Sequence, residues 1–443
     1  MFYLNKGIPL DTALLQKMIS RFRLNVEPKL TKYKNYYDGV QGILQKAYSD
    51  PTKPCNRTVI NYCKNIVDSY CGYLAAPGHI SYRSEQDIEV VMDVLRYNDY
   101  QNEDADFLLD ALKHGKACEL MYIDTESKTR FRLIDPCTCF GIYDDSLSAD
   151  LLYFVRMYPV NEWDDNDEWE VAVYSDTTIK TYKMVGMGGE LAFKEENPHY
   201  FSQCPANIFY LPDEKSIFDC ILSAQDSYNE LLSAEIDDYQ AFCDAYLVLE
   251  GMDAETDDIQ KMKEDRVLIV PPGAKASWLT KAANDAQIEN ILQRLHAAIY
   301  RTAACPDFSS ESFVGGVSSG IAIQYRLTGC ETRAAKIEAA MKMALQRRIE
   351  IICGVAALKL GEEVFRDIDI QFKRNIPEDL TSIITTINGL KGTVSDATLL
   401  SQIPFITDVN KELEAVTQQK QENMALYNFG NVDDTDYGEE DEQ

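Results

Sequence analysis

The sequence predicts an α+β chain, predominantly α, and three observations predict it. Apolar residues recur at three- and four-residue steps from Asp11 to about His114 and again from Ser216 to Leu360. Between Glu119 and Tyr210 the period shortens towards two, as in strands with one buried face. Hydrophobic residues make up 45 % of the 443, a globular proportion, and the length allows two or three domains.

The elements follow in order. Asn61, Tyr62, Ile66, Val67, Tyr70 and Leu74 share a helical face, and Ala75-Ala76-Pro77-Gly78 stops that helix. Tyr153–Val155, Glu170–Tyr174 and Thr178–Tyr182 read as strands of an antiparallel β-rich insertion, with Gly186–Gly189 as a turn. From Ser216 to about Leu247, Phe218, Ile221, Leu222, Tyr228, Leu231, Leu232, Ile236, Tyr239, Phe242 and Tyr246 mark an amphipathic rod of about 45 Å at 1.5 Å per residue. A small β excursion follows, with strands expected at Tyr246–Glu250 and Arg266–Val270 and a turn at Pro271-Pro272-Gly273. A second helix opens at Asn284, with Gln287 completing a capping box, and ends at Cys305-Pro306. The Ser/Gly-rich loop Asp307–Gly316 leads into a long, locally basic helix from near Ser319 to Leu360, with Gly329 and Gly354 as candidate kinks. Short helices end near Leu426. The purely acidic tail 431–443 is expected to be disordered, because like charges at that density repel.

Charge and cysteines narrow the function classes. With 43 Lys+Arg against 72 Asp+Glu, the formal charge is −29. That excess of acid argues against a generic DNA binder, which grips phosphates with Lys and Arg in numbers. No run approaches the roughly 20 apolar residues that cross a bilayer, and Met1–Leu10 carries no signal-peptide core. A soluble, acidic, intracellularly made protein is expected. The 12 cysteines include no Cys-x-x-Cys pair, and only four His accompany them. Cys55, Cys63 and Cys71, eight residues apart, read as small buried hydrophobes rather than ligands or disulfides. No metal site and no cofactor is expected.

Catalytic motifs fail on inspection. Gly316-Val317-Ser318-Ser319-Gly320 matches a nucleophile elbow, but the required base His would follow the Ser, and the last His is His296. Gly186, Gly188 and Gly189 lack the Lys-Ser/Thr of a phosphate loop. Acid pairs such as Asp164-Asp165, Asp237-Asp238 and Asp257-Asp258 are expected by chance in so acidic a chain and read as solvated faces. The expectation is a protein that is not an enzyme.

Four ordered segments resemble the portal (head–tail connector) proteins of tailed double-stranded DNA bacteriophages, siphophage type. They are Tyr36-Tyr37-Asp38-Gly39 with PCNRTVINYCKNIVDSYCGYL at 54–74; Tyr228-Asn229 running on to Ala245–Leu249 and Gly251; Ile299-Tyr300-Arg301, Pro306-Asp307-Phe308, Phe313, Gly316, Ser319-Gly320 and Tyr325-Arg326-Leu327 before Leu345-Gln346-Arg347-Arg348; and Leu399-Leu400 with Ile403-Pro404. Together they cover about residues 30–425. Ala75-Ala76-Pro77 and Asp213-Glu214-Lys215 depart from the family's usual turns.

The resemblance implies a ring-forming portal fold. Its parts would be a wing over 1–215, a stem helix over 216–247, a clip over 248–283, a second stem helix over 284–304, a tunnel loop over 305–317, a long wing helix over 318–374 and a crown over 375–430. It implies a homo-oligomer, expected to be a dodecamer, at one capsid vertex of the virion, assembled in the bacterial cytoplasm. Implied partners are the terminase large subunit, a head–tail adaptor, the major capsid and scaffolding proteins, and double-stranded DNA passing through, with no membrane. The alternative within the same architecture is a ring scaffold that does not conduct DNA.

Size and charge agree with conduction. About twelve helices spaced about 10 Å apart close a circle of axis radius about 19 Å. Subtracting a helix radius near 5 Å leaves a bore of about 28 Å, wider than a duplex of roughly 20 Å. The loop Asp307, Phe308, Ser309, Ser310, Glu311, Ser312, Phe313, Gly315 and Gly316 is the candidate to close the remaining gap. It holds acid and no Lys or Arg, so a duplex would slide past without deep wells. Docking of terminase or adaptor is assigned to Asp253, Glu255, Asp257, Asp258, Lys261, Lys263, Lys275 and Trp278 of the clip. The basic residues Arg326, Arg333, Arg347 and Arg348 are expected to pair with acid on neighbouring subunits, offsetting repulsion among chains of charge −29.

Overall fold

The structure, a computed structural model, describes residues 2–47, 54–160, 168–243 except 187, 246–250, 273, 275–279, 285–308, 320–356, 364–375, 385, 387–400, 403 and 409–429. The chain divides into two compact units, Met1–Asn375 and Ile376–Gln443.

The first unit is built on a six-stranded sheet. Strands β1 (Phe2–Leu4), β5 (Cys139–Asp144), β6 (Leu151–Pro159), β7 (Glu168–Tyr174), β8 (Thr178–Val185) and β9 (Leu191–Pro198) lie side by side in that order. All pairs are antiparallel except β1–β5, which is parallel. Helix α1 (Thr12–Asn25) starts on an Asp11 side chain that accepts the Leu14 N–H at 2.7 Å. Its Leu15, Met18, Ile19 and Phe22, at helical spacing, join Phe140, Ile142, Val155, Met157, Val171 and Val173 in one apolar cluster. The exposed edge strand β9 carries Lys194, Glu195 and Glu196, charges that discourage pairing with another chain.

A second sheet, β10 (Ala206–Tyr210), β3 (Lys116–Ile123) and β4 (Thr129–Ile134), packs against α5 (Tyr100–His114). Gly115 ends α5 with φ +83, and a Cβ there would lie 2.6 Å from the Lys215 backbone, so only glycine permits that approach. Around these lie α2 (Glu27–Tyr37), α3 (Tyr62–Ala75) and α4 (Glu89–Tyr97), and the two-stranded pair β2 (Ile80–Arg83) with β13 (Asp369–Phe372).

The expected strands at 153–155, 170–174 and 178–182 lie within β6, β7 and β8. Strand β2 interrupts the zone from Asp11 to about His114 that reads as helical, and β1 precedes that zone. The rod expected from Ser216 begins later: Ser216 Oγ donates to the Leu112 carbonyl at 3.1 Å and Ile217 N–H to the same oxygen at 3.0 Å. A 3-10 turn at Asp219–Ile221 then precedes α6 (Leu222–Cys243). The excursion pairs β11 (Tyr246–Glu250) with β12 (Lys275–Leu279), whereas the strand expected at 266–270 lies outside the described residues. The second rod is α7 (Asp285–Thr302), and the long helix is α8 (Gly320–Ala356), continuous through Gly329 and Gly354. A Cβ on Gly354 would meet Ser202 Oγ at 2.7 Å, which makes this glycine a point of close packing. The second unit holds α9 (Asp396–Leu400), with Leu399 buried, and α10 (Val409–Phe429). The acidic tail lies outside the described residues.

Candidate functional site

The paired helices α6 and α7, and the loop that leaves α7, form the candidate site. Four polar residues at four-residue steps on α6, Gln225, Asn229, Ser233 and Asp237, receive alternate backbone N–H groups of the segment 56–62. Asn56 N–H donates to Asp237 at 2.5 Å, Thr58 to Ser233 at 3.0 Å, Ile60 to Asn229 at 3.0 Å and Tyr62 to Gln225 at 3.2 Å. The register is physical: one step of four helical residues rises about 6.0 Å, close to the roughly 6.7 Å of two extended residues. Gln225 returns a bond to the Ile60 carbonyl at 2.5 Å, and Asn229 donates to Gln41 at 2.6 Å. Gln225, Asn229 and Ser233 have no exposed surface. The most buried face of this helix is therefore polar, while Leu231, Leu232 and Ile236 are half-buried and Tyr239 is 73 % exposed.

The opposite stripe of α6, Ser223, Ser227, Glu230, Ala234 and Asp238, faces solvent. The helix carries Asp226, Glu230, Glu235, Asp237 and Asp238 and no Lys or Arg. Asp226 accepts the Tyr36 hydroxyl at 2.8 Å, and Asp237 pairs with Lys46 at 3.0 Å. Burial works against the charge on Asp237, but the Asn56 N–H and the Lys46 ammonium outweigh it and hold the carboxyl below its usual range.

Where α7 ends, aromatic rings fix the exit of the chain. Tyr62 makes edge contacts with Tyr228, His296 and Tyr300 at 5.2, 5.4 and 5.8 Å between ring centroids. Tyr300 donates to Asn65 at 3.2 Å, and burial pushes its hydroxyl up to about 12. The carbonyls of 303 and 304, orphaned at the helix end, are taken up by long-range donors: Tyr70 donates to Ala304 at 2.9 Å and Arg333 to Ala303 at 2.8 Å. Arg333 also donates to the Ile217 carbonyl at 2.9 Å, tying α8 to the entry of α6. Ala304 takes a left-handed φ of 51, the turn that ends α7. Asp307 lies 3.5 Å from His296, and Phe308 beyond it is exposed.

The sequence-derived site residues fall into three groups. Of the loop, Asp307 and Phe308 are described; Ser309, Ser310, Glu311, Ser312, Phe313, Gly315 and Gly316 lie outside the described residues. Of the clip, Lys275 is exposed at the start of β12 opposite Glu250, and Trp278 stands opposite Leu247. Asp253, Glu255, Asp257, Asp258, Lys261 and Lys263 lie outside the described residues. Of the basic residues on α8, Arg326 is exposed, Arg333 is half-buried on the two carbonyls above, and Arg347 is half-buried on Gln203 and Glu350 at 2.6 and 2.7 Å.

Arg348 corrects its expectation. It has no exposed surface, so it cannot meet a neighbouring subunit, and its acid partners are its own chain's Asp104 and Glu119, the latter at 2.9 Å. Its guanidinium lies over the Phe107 and Phe131 rings, 5.3 and 4.5 Å from their centroids. Tyr82 donates to Asp104 at 2.7 Å and Asn207 to Glu119 at 2.5 Å, completing a buried network across α5, β3, β10 and α8.

The polar ladder on α6 escaped sequence reasoning, which followed the apolar positions of that helix. The signal was the run Gln225, Asn229, Ser233, Asp237 at strict four-residue spacing. Among the described residues, no helix is long and apolar enough to cross a membrane. No curated protein matches the chain. The family model described as phage portal protein, SPP1 Gp6-like, matches residues 24–425, a span that takes in the ladder, both rods, the loop and the long helix. The chain accordingly belongs to the SPP1 Gp6-like phage portal proteins, a structural bacteriophage family of head–tail connectors that serve DNA packaging.

Proposed function

We propose that this chain closes into a ring, a dodecamer as is typical of its family, at one vertex of a phage capsid, and that double-stranded DNA passes through the ring during packaging and ejection. The single observation that carries the reading is the family match over 24–425. In this reading α6 and α7 are the stem, 248–283 the clip that docks the terminase large subunit and the head–tail adaptor, 305–317 the tunnel loop, 1–215 and 318–374 the wing, and 375–430 the crown. The chain does no chemistry of its own; a separate motor drives the duplex.

The geometry supports this reading at three points. Helix α6 presents a cation-free acidic stripe, a wall that offers phosphates no binding wells. The loop begins from a fixed base, since Tyr70, Arg333 and the Tyr62 cluster anchor residues 300–304. Helix α8 exposes Tyr325 and Met343, 78 % and 76 % accessible and about five turns apart on one face, with Gly329, Thr332, Lys336 and Ala339 exposed between them. A neighbouring subunit covering that face would gain roughly 1.5–3 kcal/mol from each large side chain. Subunit contact is therefore assigned to this face and to exposed Arg326, and Arg347 contributes only at its half-exposed edge.

The test is packaging in a defined system of cognate terminase, DNA and empty capsids assembled with or without this chain. DNA protected from nuclease only when the chain is present is the expected result. Capsids that fill equally without it contradict the proposal, and rings that form but never pass DNA point to a scaffold role.

A further inference from the structure

A cluster far along the chain from the stem brings together donors of three chemistries. His114 is the last residue of α5, and Asp135 and Cys137 stand in the turn between β4 and β5. A ring nitrogen of His114, a carboxylate oxygen of Asp135 and the Cys137 Sγ all lie within 4.8 Å of one another. His114 is only 2 % exposed. Its Nδ1 lies 3.2 Å from the Asp110 carbonyl, while Nε2 is enclosed and has no hydrogen-bond partner. A buried nitrogen left that way carries an unrecovered desolvation cost, and a bond to a ligand removes it. An Nδ1–H held by a carbonyl is also the usual outer support of a metal-binding histidine, because it fixes the tautomer that leaves the Nε2 lone pair free. Asp135 is oriented in the same manner, by the Cys137 N–H at 2.9 Å and the Lys34 ammonium at 2.8 Å.

We propose that His114 Nε2, the Asp135 carboxylate and the Cys137 thiolate bind a divalent transition-metal ion of the zinc class. One nitrogen, one oxygen and one sulfur donor suit a borderline-soft ion and suit calcium or magnesium poorly. On binding, the Cys137 thiol releases its proton to water as the sulfur–metal bond forms. Thiolate and carboxylate bring two negative charges to the ion, and the Lys34 ammonium beside Asp135 leaves the cluster with one net positive charge. Tetrahedral bonds of about 2.0–2.3 Å place donors roughly 3.5 Å apart, so the three atoms need close by no more than about 1.3 Å, and water takes the fourth position. The ion ties the end of α5 to the β4–β5 turn, which Lys34 joins to α2, at the joint where the N-terminal helices meet the sheets. The site does not depend on ring formation or DNA passage.

The test uses the full-length chain, stripped with chelator and titrated with zinc by calorimetry, and with cobalt(II) by absorption. One ion per chain is expected, with the visible bands of tetrahedral cobalt and a near-ultraviolet thiolate-to-cobalt band. Cys137→Ser should abolish the thiolate band, and both it and Asp135→Asn should weaken zinc binding by about 10-fold or more. Cys220→Ser, which removes an exposed thiol outside the cluster, should leave both readouts unchanged. Failure to bind either ion overturns the proposal, as does a thiolate band that persists in Cys137→Ser. Neither variant touches buried His114, so a folded protein remains available for the measurement.

Discussion

Arg347 and Arg348 are neighbours in sequence with identical side chains, yet helical geometry gives them opposite fates. Arg348 falls in line with Met341, Ala344, Leu345 and Ile352, all buried, and its charge is met inside by Asp104 and Glu119. Arg347 points a third of a turn away and stays half-exposed. Removing one partner of a buried ion pair leaves uncompensated charge in a low-dielectric site. Arg348→Met should therefore lower unfolding free energy by about 3–5 kcal/mol in denaturant melts. Arg347→Met, losing one partly screened pair, should cost no more than about 1 kcal/mol. Equal effects would contradict the assignment. An arginine within an apolar helical stripe was the legible signal. Composition alone made α8 look like a basic surface, because a count of charges does not say which face each charge occupies.

Helix α6 repeats that lesson at the scale of an element. Its position, its approximate length and the following strand β11 were legible from apolar spacing and turn residues. Its buried face was not, because that face is polar and pays its desolvation through bonds to a backbone segment far away in sequence. Such pairing leaves no apolar period to read, only the four-residue spacing of Gln225, Asn229, Ser233 and Asp237. The same holds for β1 and β2, three and four residues long, which exist only through partners at 142–144 and 369–372. Asn229→Ala removes the acceptor of the Ile60 N–H and the donor to Gln41. It should destabilise by about 1–3 kcal/mol and speed hydrogen exchange at Ile60 before that of the β6–β7 core. Unchanged exchange at Ile60 would show that the ladder does not hold the segment. Asp237 adds a pH signature. Its folded carboxyl titrates below the unfolded value of about 3.9, so its contribution is present above that pH and is lost as pH falls through the folded value. Asp237→Asn should flatten stability below about pH 4 while leaving the neutral-pH slope unchanged.

For the whole molecule, the family was legible from four ordered segments, and the match over 24–425 bears it out. The ladder gives part of the reason: Asn56, Asn61 and Asn229, all within those segments, are among the residues whose side chains join the 54–62 segment to α6 and to the end of α2. The proposed assembly surface was less legible, since Tyr325 and Met343 mark a face only once the fold shows both exposed among the described residues. Met343→Glu, placing charge on that face, should shift purified protein from rings towards single chains by ultracentrifugation without changing its thermal unfolding as a monomer. Lys introduced at positions 309–312 should slow packaging through new phosphate contacts, more at low salt than at high salt. Unaltered rates would remove the loop from the DNA path. The most direct measurement is electron microscopy of the purified chain, alone and mixed with capsid proteins. Annuli with a central opening no wider than about 28 Å are predicted, whereas isolated compact particles without a hole under both conditions would contradict the account.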